Sequence, residues 1–252
     1  MDVIAPPPLG DLPNFTPPVM PAAAPQNEAA AKVEAKPIRG EWQSVSGRDI
    51  AALLDPRPTL IVGSVGRRDE VGFATIIWAT PISHDPAMVC FALRARSHTM
   101  SCIQKSRAFS LNVLPADADG VFLCEQAGTR TGFQFNKNVV VKHTIRKIEF
   151  EETKTVEIEV PCGEGEEGET VTEMAEKTIQ RYEKVPTVDI ATSWMLCLVD
   201  HIEEAGDHLL VVGYVKEAQT CAPRNESGLL IPQDALLCVQ HGCFGKVELL
   251  DD

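Results

Sequence analysis

The chain predicts a mainly β fold, a β-barrel with helical inserts, and three observations carry that prediction. Its apolar runs are short and are joined by turns or short helix-like stretches. They lack the alternating strand–helix rhythm of a doubly wound parallel sheet. Late in the chain, Trp194 to Glu203 and His208 to Glu217 flank Ala205-Gly206-Asp207 as an antiparallel hairpin.

The elements follow in order. Residues 1–37 hold nine of the eighteen prolines and eight alanines, with no apolar period. That composition predicts a disordered or surface-draped arm, whose Leu9, Leu12, Phe15, Val19 and Met20 are available to a partner subunit. Residues 38–252 form the globular domain, starting near Trp42. Ser46 to Leu54 reads as a short helix that Asp55-Pro56-Arg57-Pro58 ends. Thr59 to Val65 is an apolar strand, Gly66 to Glu70 a polar hairpin loop, and Val71 to Ala79 the returning strand. A corner over Pro81–Pro86 leads to a third strand, Ala87 to Leu93. Ser97 caps a helix over Thr99 to Ser106, with Met100 and Ile103 as its buried stripe. Phe109 to Leu114 is a fourth strand, and Ala118 to Ala127 a helix weighted by Val121, Phe122 and Leu123.

An acidic insertion spans about residues 150–187. From Glu157 to Glu176 it carries eight glutamates and no basic residue. Its middle predicts a strand pair plus a helix over Thr170–Lys184, serving as a lid, a dimer contact or plain solvated surface. Gly163-Glu164-Gly165-Glu166-Glu167-Gly168 is a literal G-x-G-x-x-G, but it is a decoy. A dinucleotide loop sets amides and a helix N-terminus against a pyrophosphate. Here glutamates line the loop and would repel phosphates. The preceding Val156-Glu157-Ile158-Glu159-Val160 alternates with acid, unlike a central parallel strand.

Composition excludes several classes. The 252 residues carry a net charge of −13, which argues against nucleic-acid binding but leaves room for an anionic cofactor held by a few local donors. No apolar run approaches the roughly 20 residues of a membrane helix, and the proline-bearing start with Asp2 is not that of a secretory signal. The eight cysteines form no C-x-x-C, and Cys90, Cys197 and Cys238 lie in apolar runs, so a reduced cytoplasmic protein is expected. Cys238, His241 and Cys243 lack a fourth nearby ligand and zinc spacing, so no metal is expected.

The most informative stretch is Gly72 to Ser83. Strand alternation puts Thr75, Ile77 and Ala79 on one face and Ala74, Ile76, Trp78 and Thr80 on the other, before Pro81 stiffens the chain. Exposed amides there suit a flat, polar, anionic ligand.

Five segments occur in order over about two thirds of the chain: Arg57-Pro58; Thr80-Pro81-Ile82-Ser83-His84-Asp85-Pro86; Ser97-His98-Thr99 with Ile103; Phe109 to Leu114; and Gly206-Asp207-His208 entering Leu209 to Val215. Together they resemble the flavin reductase-like family, FMN-binding split β-barrels that include flavoredoxin. The resemblance implies that Thr75, Ile76, Ile77, Trp78, Ala79 and Thr80 run along the isoalloxazine and ribityl groups. Arg94, Arg96, Ser97, His98 and Thr99 would meet the phosphate with charge, hydroxyls and free helix amides. Asn112, Thr131 and Lys137 match further cofactor positions, although Asn136 stands where the family has an acidic residue. Each has a structural alternative: Ser97 as a mere helix cap, Trp78 as core, Asn112 as a hydrogen bond within the sheet. His208 matches a family histidine on the nicotinamide side and is the candidate catalytic residue, or else caps a turn.

The implied activity is oxidation of NADH or NADPH with reduction of flavin or another acceptor, by a cytoplasmic homodimer. A flavoredoxin-like electron carrier serving a partner protein, and a cofactor-free structural or ligand-binding barrel, are the alternatives.

Overall fold

The computed structural model describes residues 44–161, 170–231, 235–240 and 243–246. The N-terminal arm, the glycine–glutamate loop and His241 lie outside the described residues. The elements are α1 (Arg48–Ala52), β1 (Arg57–Pro58), β2 (Leu60–Val65), β3 (Val71–Ile76), β4 (Ala79–His84), β5 (Ala87–Arg94), α2 (His98–Ser106), β6 (Ala108–Val113), α3 (Ala118–Thr129), β7 (His143–Pro161), β8 (Thr170–Val188), β9 (Ser193–Ala205), β10 (His208–Thr220), β11 (Leu237–Gln240) and β12 (Cys243–Gly245).

Seven strands form one antiparallel sheet in the order β3-β2-β6-β9-β10-β5-β4. Its two end strands, β3 and β4, are consecutive in the chain, with only Ile77 and Trp78 between them. The sheet must therefore curl until its edges meet at that dipeptide. No ladder joins β3 to β4 or to β5, so the barrel carries a seam there. Its interior holds Leu60, Val62, Ala74, Ile76, Phe91 and Phe109, and α2 adds Met100 and Ile103. The Phe91 and Phe109 rings meet edge to face at 5.0 Å, although their strands are not neighbours in the sheet. Strand β2 is buried along its whole length. Leu60 and Val62 face the interior, while Ile61 turns outward with Phe73 onto Leu123, Cys124 and Ala127 of α3.

Two expectations are corrected. The expected helix over Thr170–Lys184 is strand β8, paired with β7 from Pro161↔Thr170 to His143↔Val188. Its Thr170, Val171, Thr172, Thr178, Ile179 and Val185 are β-branched, which disfavours helix and suits a pleated ribbon. Contacts across the pair complement it: Arg181 Nε lies 2.6 Å from a Glu152 oxygen, Gln180 donates to Glu151 at 2.6 Å, and Lys147 sits 4.6 Å over the Tyr182 ring. The second correction concerns the strand after Gly72. It stops at Ile76, and Pro81 lies inside β4, with the reversal falling at Asp85-Pro86. As the terminal strand of the sheet, β4 has a free edge where a proline's missing donor costs little.

The β7–β8 ribbon is rooted in the barrel. Ser110 Oγ donates to Pro186 O, Val188 N donates to Asn112 Oδ1 at 2.9 Å, and Ile148 and Val185 pack with Trp194 and Leu196. Among the described residues, no helix is long and apolar enough to cross a membrane.

Candidate functional site

The seam between β3 and β4 is lined by backbone that no ladder pairs. Lys137 Nζ donates to Phe73 O at 2.8 Å, so that carbonyl points away from β2. In an antiparallel strand, alternate residues turn their N–H and C=O to the same side. Thr75 therefore presents its amide and carbonyl on the free edge of β3, leading toward Ile77 and Trp78. The Thr75 hydroxyl points at α3 and donates to Cys124 O at 2.6 Å.

Two segments flank the seam and are tied at both ends. At one end, Ala92 N donates to Trp78 O at 2.9 Å. At the other, Gly72 lies so close to α2 that a Cβ on it would come within 2.9 Å of Thr99 Cα. These contacts tie the β3–β4 connection to β5 and the start of β3 to α2. Trp78, 39 % exposed, sets its ring 4.9 Å from the His208 ring. His208 pairs with Arg94 across β10 and β5, and its Nδ1 meets Asp207 Oδ1 at 2.7 Å. The hydrogen bond to His208, and then the charge on it, hold the Asp207 carboxyl below its usual range.

Beyond Arg94 the chain turns sharply, with Ser97 N donating to Arg94 O at 3.2 Å. Ser97 caps α2: its Oγ accepts from Met100 N at 3.0 Å and its carbonyl from Ser101 N at 3.1 Å. The amides of His98 and Thr99 remain at the helix mouth, and Arg94 and Arg96 stand exposed beside it. Free amides, a helix dipole and two guanidinium groups make this the cationic end of the seam.

Lys137 is buried at 6 % exposure and bridges β3 to the last turn of α3 through Phe73 O and Ala127 O. Burial pulls its ammonium down to about 8. It borders a cavity of about 340 Å³ that Glu70, Phe73, His98, Phe133 and Asn138 also line. Because the folded-state value lies below the ordinary 10.5, the unfolded chain holds more protons between the two. Stability contributed at this site is expected to rise as pH climbs from about 8 to about 10.5, and the rise should vanish in Lys137→Met. Urea denaturation of both proteins across that window measures it.

Two further expected cofactor positions make structural hydrogen bonds. Asn112 is wholly buried and spent inside the sheet: Nδ2 donates to Ile61 O at 2.9 Å and Ser110 Oγ at 3.0 Å, and Oδ1 accepts from Val188 N. It acts as a structural hinge between β2, β6 and β8. Thr131 is exposed and organises a turn, its carbonyl accepting from Gln134 N and Phe135 N. Sequence reasoning missed Phe133, whose ring meets His98 edge-on at 5.3 Å, and Glu70, 3.8 Å from His98 Nε2. No local pattern announces either. Asp207 was visible in Gly206-Asp207-His208, but its role as the partner of His208 was not read there. In the Cys238–Cys243 region, Cys238 is buried on β11, between β1 and β12.

A seven-stranded antiparallel sheet curled until its end strands meet without pairing is a split barrel. Residues 55–238 match the model of the flavin reductase like domain, and the chain belongs to that family. Solved structures repeat the fold. The FMN-binding protein of Thermus thermophilus, with bound 1-cyclohex-2-enone, superposes with a TM-score of 0.59 at 20% identity, over 86% of this chain and 100% of that one. Flavoredoxin of Methanosarcina acetivorans gives 0.60 at 14% identity, over 84% and 95%. An NADH:FAD oxidoreductase of Streptomyces globisporus gives 0.55 at 15% identity, over 83% and 100%.

Proposed function

We propose that this chain binds FMN along the seam and works as an NAD(P)H-dependent oxidoreductase that reduces flavin or another acceptor. One set of contacts supports the reading: Trp78 O accepts from Ala92 N on β5, Gly72 of β3 lies against Thr99 of α2, and the Trp78 and His208 rings meet at 4.9 Å. The donors present fit the group. A phosphate dianion calls for amides and cations, which His98, Thr99, Arg94 and Arg96 offer. A flat polar ring calls for amides beside apolar walls, which Thr75 and Trp78 offer.

When bound, FMN supplies the hydride-accepting and hydride-donating chemistry, so the protein needs no nucleophile. The chain's own residues bind and orient. Arg94, Arg96 and the α2 mouth hold the phosphate end. The β3 edge would offer the ring the Thr75 amide as a donor. The Trp78 and His208 rings exclude water from one side. Asp207 holds Nδ1 of His208, which leaves Nε2 to carry a proton at the seam. The oxidoreductase of Streptomyces globisporus takes NADH by its name, which supports a nicotinamide donor here.

The same reading makes the chain a homodimer of the cytoplasm. Val89, Phe91, Leu93 and Val211 fill the barrel, so alternation turns Met88, Cys90, Leu210 and Tyr214 outward as a largely apolar face on β5 and β10. Tyr214→Glu is expected to convert the dimer to monomer in sedimentation equilibrium without unfolding it.

The deciding experiment is the absorption spectrum of protein purified without added cofactor, then FMN titration and steady-state oxidation of NADH and NADPH. A flavin band with turnover supports the proposal. Tightly held flavin without turnover assigns an electron carrier instead. Colourless protein that takes up no FMN leaves a cofactor-free barrel.

A further inference from the structure

The geometry points to a divalent-cation site of the zinc type at Glu70, His98 and Cys102. It lies beside the seam but is built from side chains, whereas the flavin reading uses His98 through its backbone amide. His98 and Cys102 stand four residues apart on one face of α2, and Glu70 comes from the loop ahead of β3. One ligand atom from each lies within 4.8 Å of the other two, and Cys102 Sγ is 4.0 Å from His98 Nδ1. Tetrahedral zinc, with bonds of about 2.3 Å to sulfur and about 2.0 Å to nitrogen, sets such donors roughly 3.5 Å apart. Cys102 meets the ring at Nδ1 and Glu70 at Nε2, so one ion is reached by rotating the Cys102 or Glu70 side chain toward the nitrogen the other faces.

The imidazole is already held in place. A Cβ at Gly72 or Gly132 would come within 3.2 or 2.9 Å of His98 Nδ1, so glycine at both positions leaves room for the ring. Phe133 braces it edge-on. Lys105 holds one Glu70 oxygen at 3.1 Å, and the other oxygen faces the imidazole. Thiolate, imidazole and carboxylate together select a borderline ion over magnesium or calcium, which prefer oxygen. Three protein ligands leave one tetrahedral position, and the 340 Å³ cavity lined by Glu70 and His98 supplies space for water there.

The test uses the full chain, with and without FMN. Zinc is titrated in competition with a chromophoric chelator, and the loaded protein is measured by zinc-edge X-ray absorption. One retained zinc per chain is expected, with a single sulfur at about 2.3 Å and nitrogen or oxygen neighbours at about 2.0–2.2 Å. Cys102→Ala and Glu70→Gln are each expected to weaken binding by at least about tenfold. Glu70 is partly exposed, so its amide variant keeps the fold. A double Cys221→Ser, Cys243→Ser variant, which removes the exposed thiols among the described residues, should leave the zinc in place. Zinc lost to the chelator, a shell without sulfur, full affinity in Glu70→Gln, or loss in the Cys221, Cys243 variant overturns the site. The readout is zinc alone, so failure of flavin uptake leaves this inference standing, and failure of zinc uptake leaves the flavin reading standing.

Discussion

Reversing both arginines at the α2 mouth, Arg94→Glu with Arg96→Glu, is expected to weaken FMN binding at least about a hundredfold, with little change in melting temperature. Charge-assisted hydrogen bonds contribute about 1.5–3 kcal/mol each. Two reversed charges therefore exceed the roughly 2.8 kcal/mol that a hundredfold loss represents. Both side chains are exposed, so the fold should lose no more than about 0.5 kcal/mol. Titration with FMN and with riboflavin separates the causes. Riboflavin lacks the phosphate, so its affinity should change little. Raised salt should weaken FMN binding in the native protein and much less in the variant. Equal losses for both ligands would place the arginines against the ring or the fold, and the phosphate assignment would fail.

What was legible in the sequence follows from the range of the interactions involved. Strands β2, β3, β5 and β6 announced themselves through local apolar runs, and α2 through the Ser97 cap, because those signals are short-range. The order of those runs also carried the family. The seam itself was not legible: it arises because β3 and β4 fall at opposite ends of one sheet, a consequence of pairing among strands far apart in the chain. The β7–β8 ribbon was half read. Residues near Val156 alternate as a strand should, but Met174 and Tyr182 fall eight residues apart, a spacing that a helix also permits, and only pairing with β7 decides. The glycine–glutamate decoy was judged on charge, and its structure lies outside the described residues. Ser97, Trp78 and His208 were chosen by type and place; Ser97 caps α2, and the Trp78 and His208 rings meet. Glu70 and Phe133 were not, since they reach His98 only through folding. Asn112 shows the opposite limit: a polar residue on an apolar strand has the same sequence signature whether it serves a ligand or the sheet.

Asn112→Leu is accordingly expected to destabilise the protein by about 3–5 kcal/mol. The substitution keeps the side-chain size but leaves Val188 N buried without its partner and removes the side-chain bond to Ile61 O, which stays paired in the β2–β6 ladder. The orphaned amide costs about 1–3 kcal/mol, and the bonds to Ile61 O and Ser110 Oγ, about 0.5–1.5 kcal/mol each, are lost as well. The damage is concentrated where β8 joins the barrel, because Val188 N and Pro186 O are the hydrogen-bonded contacts that Asn112 and Ser110 make there. Urea denaturation measures the loss. Limited proteolysis at the β7–β8 ribbon should quicken well before the barrel is cut, since local opening requires less than global unfolding. The fraction that stays folded should bind FMN within about twofold of the native protein, because every polar atom of the side chain is spent inside the sheet. A stability change under about 1 kcal/mol together with lost flavin would reverse the assignment and return Asn112 to the cofactor.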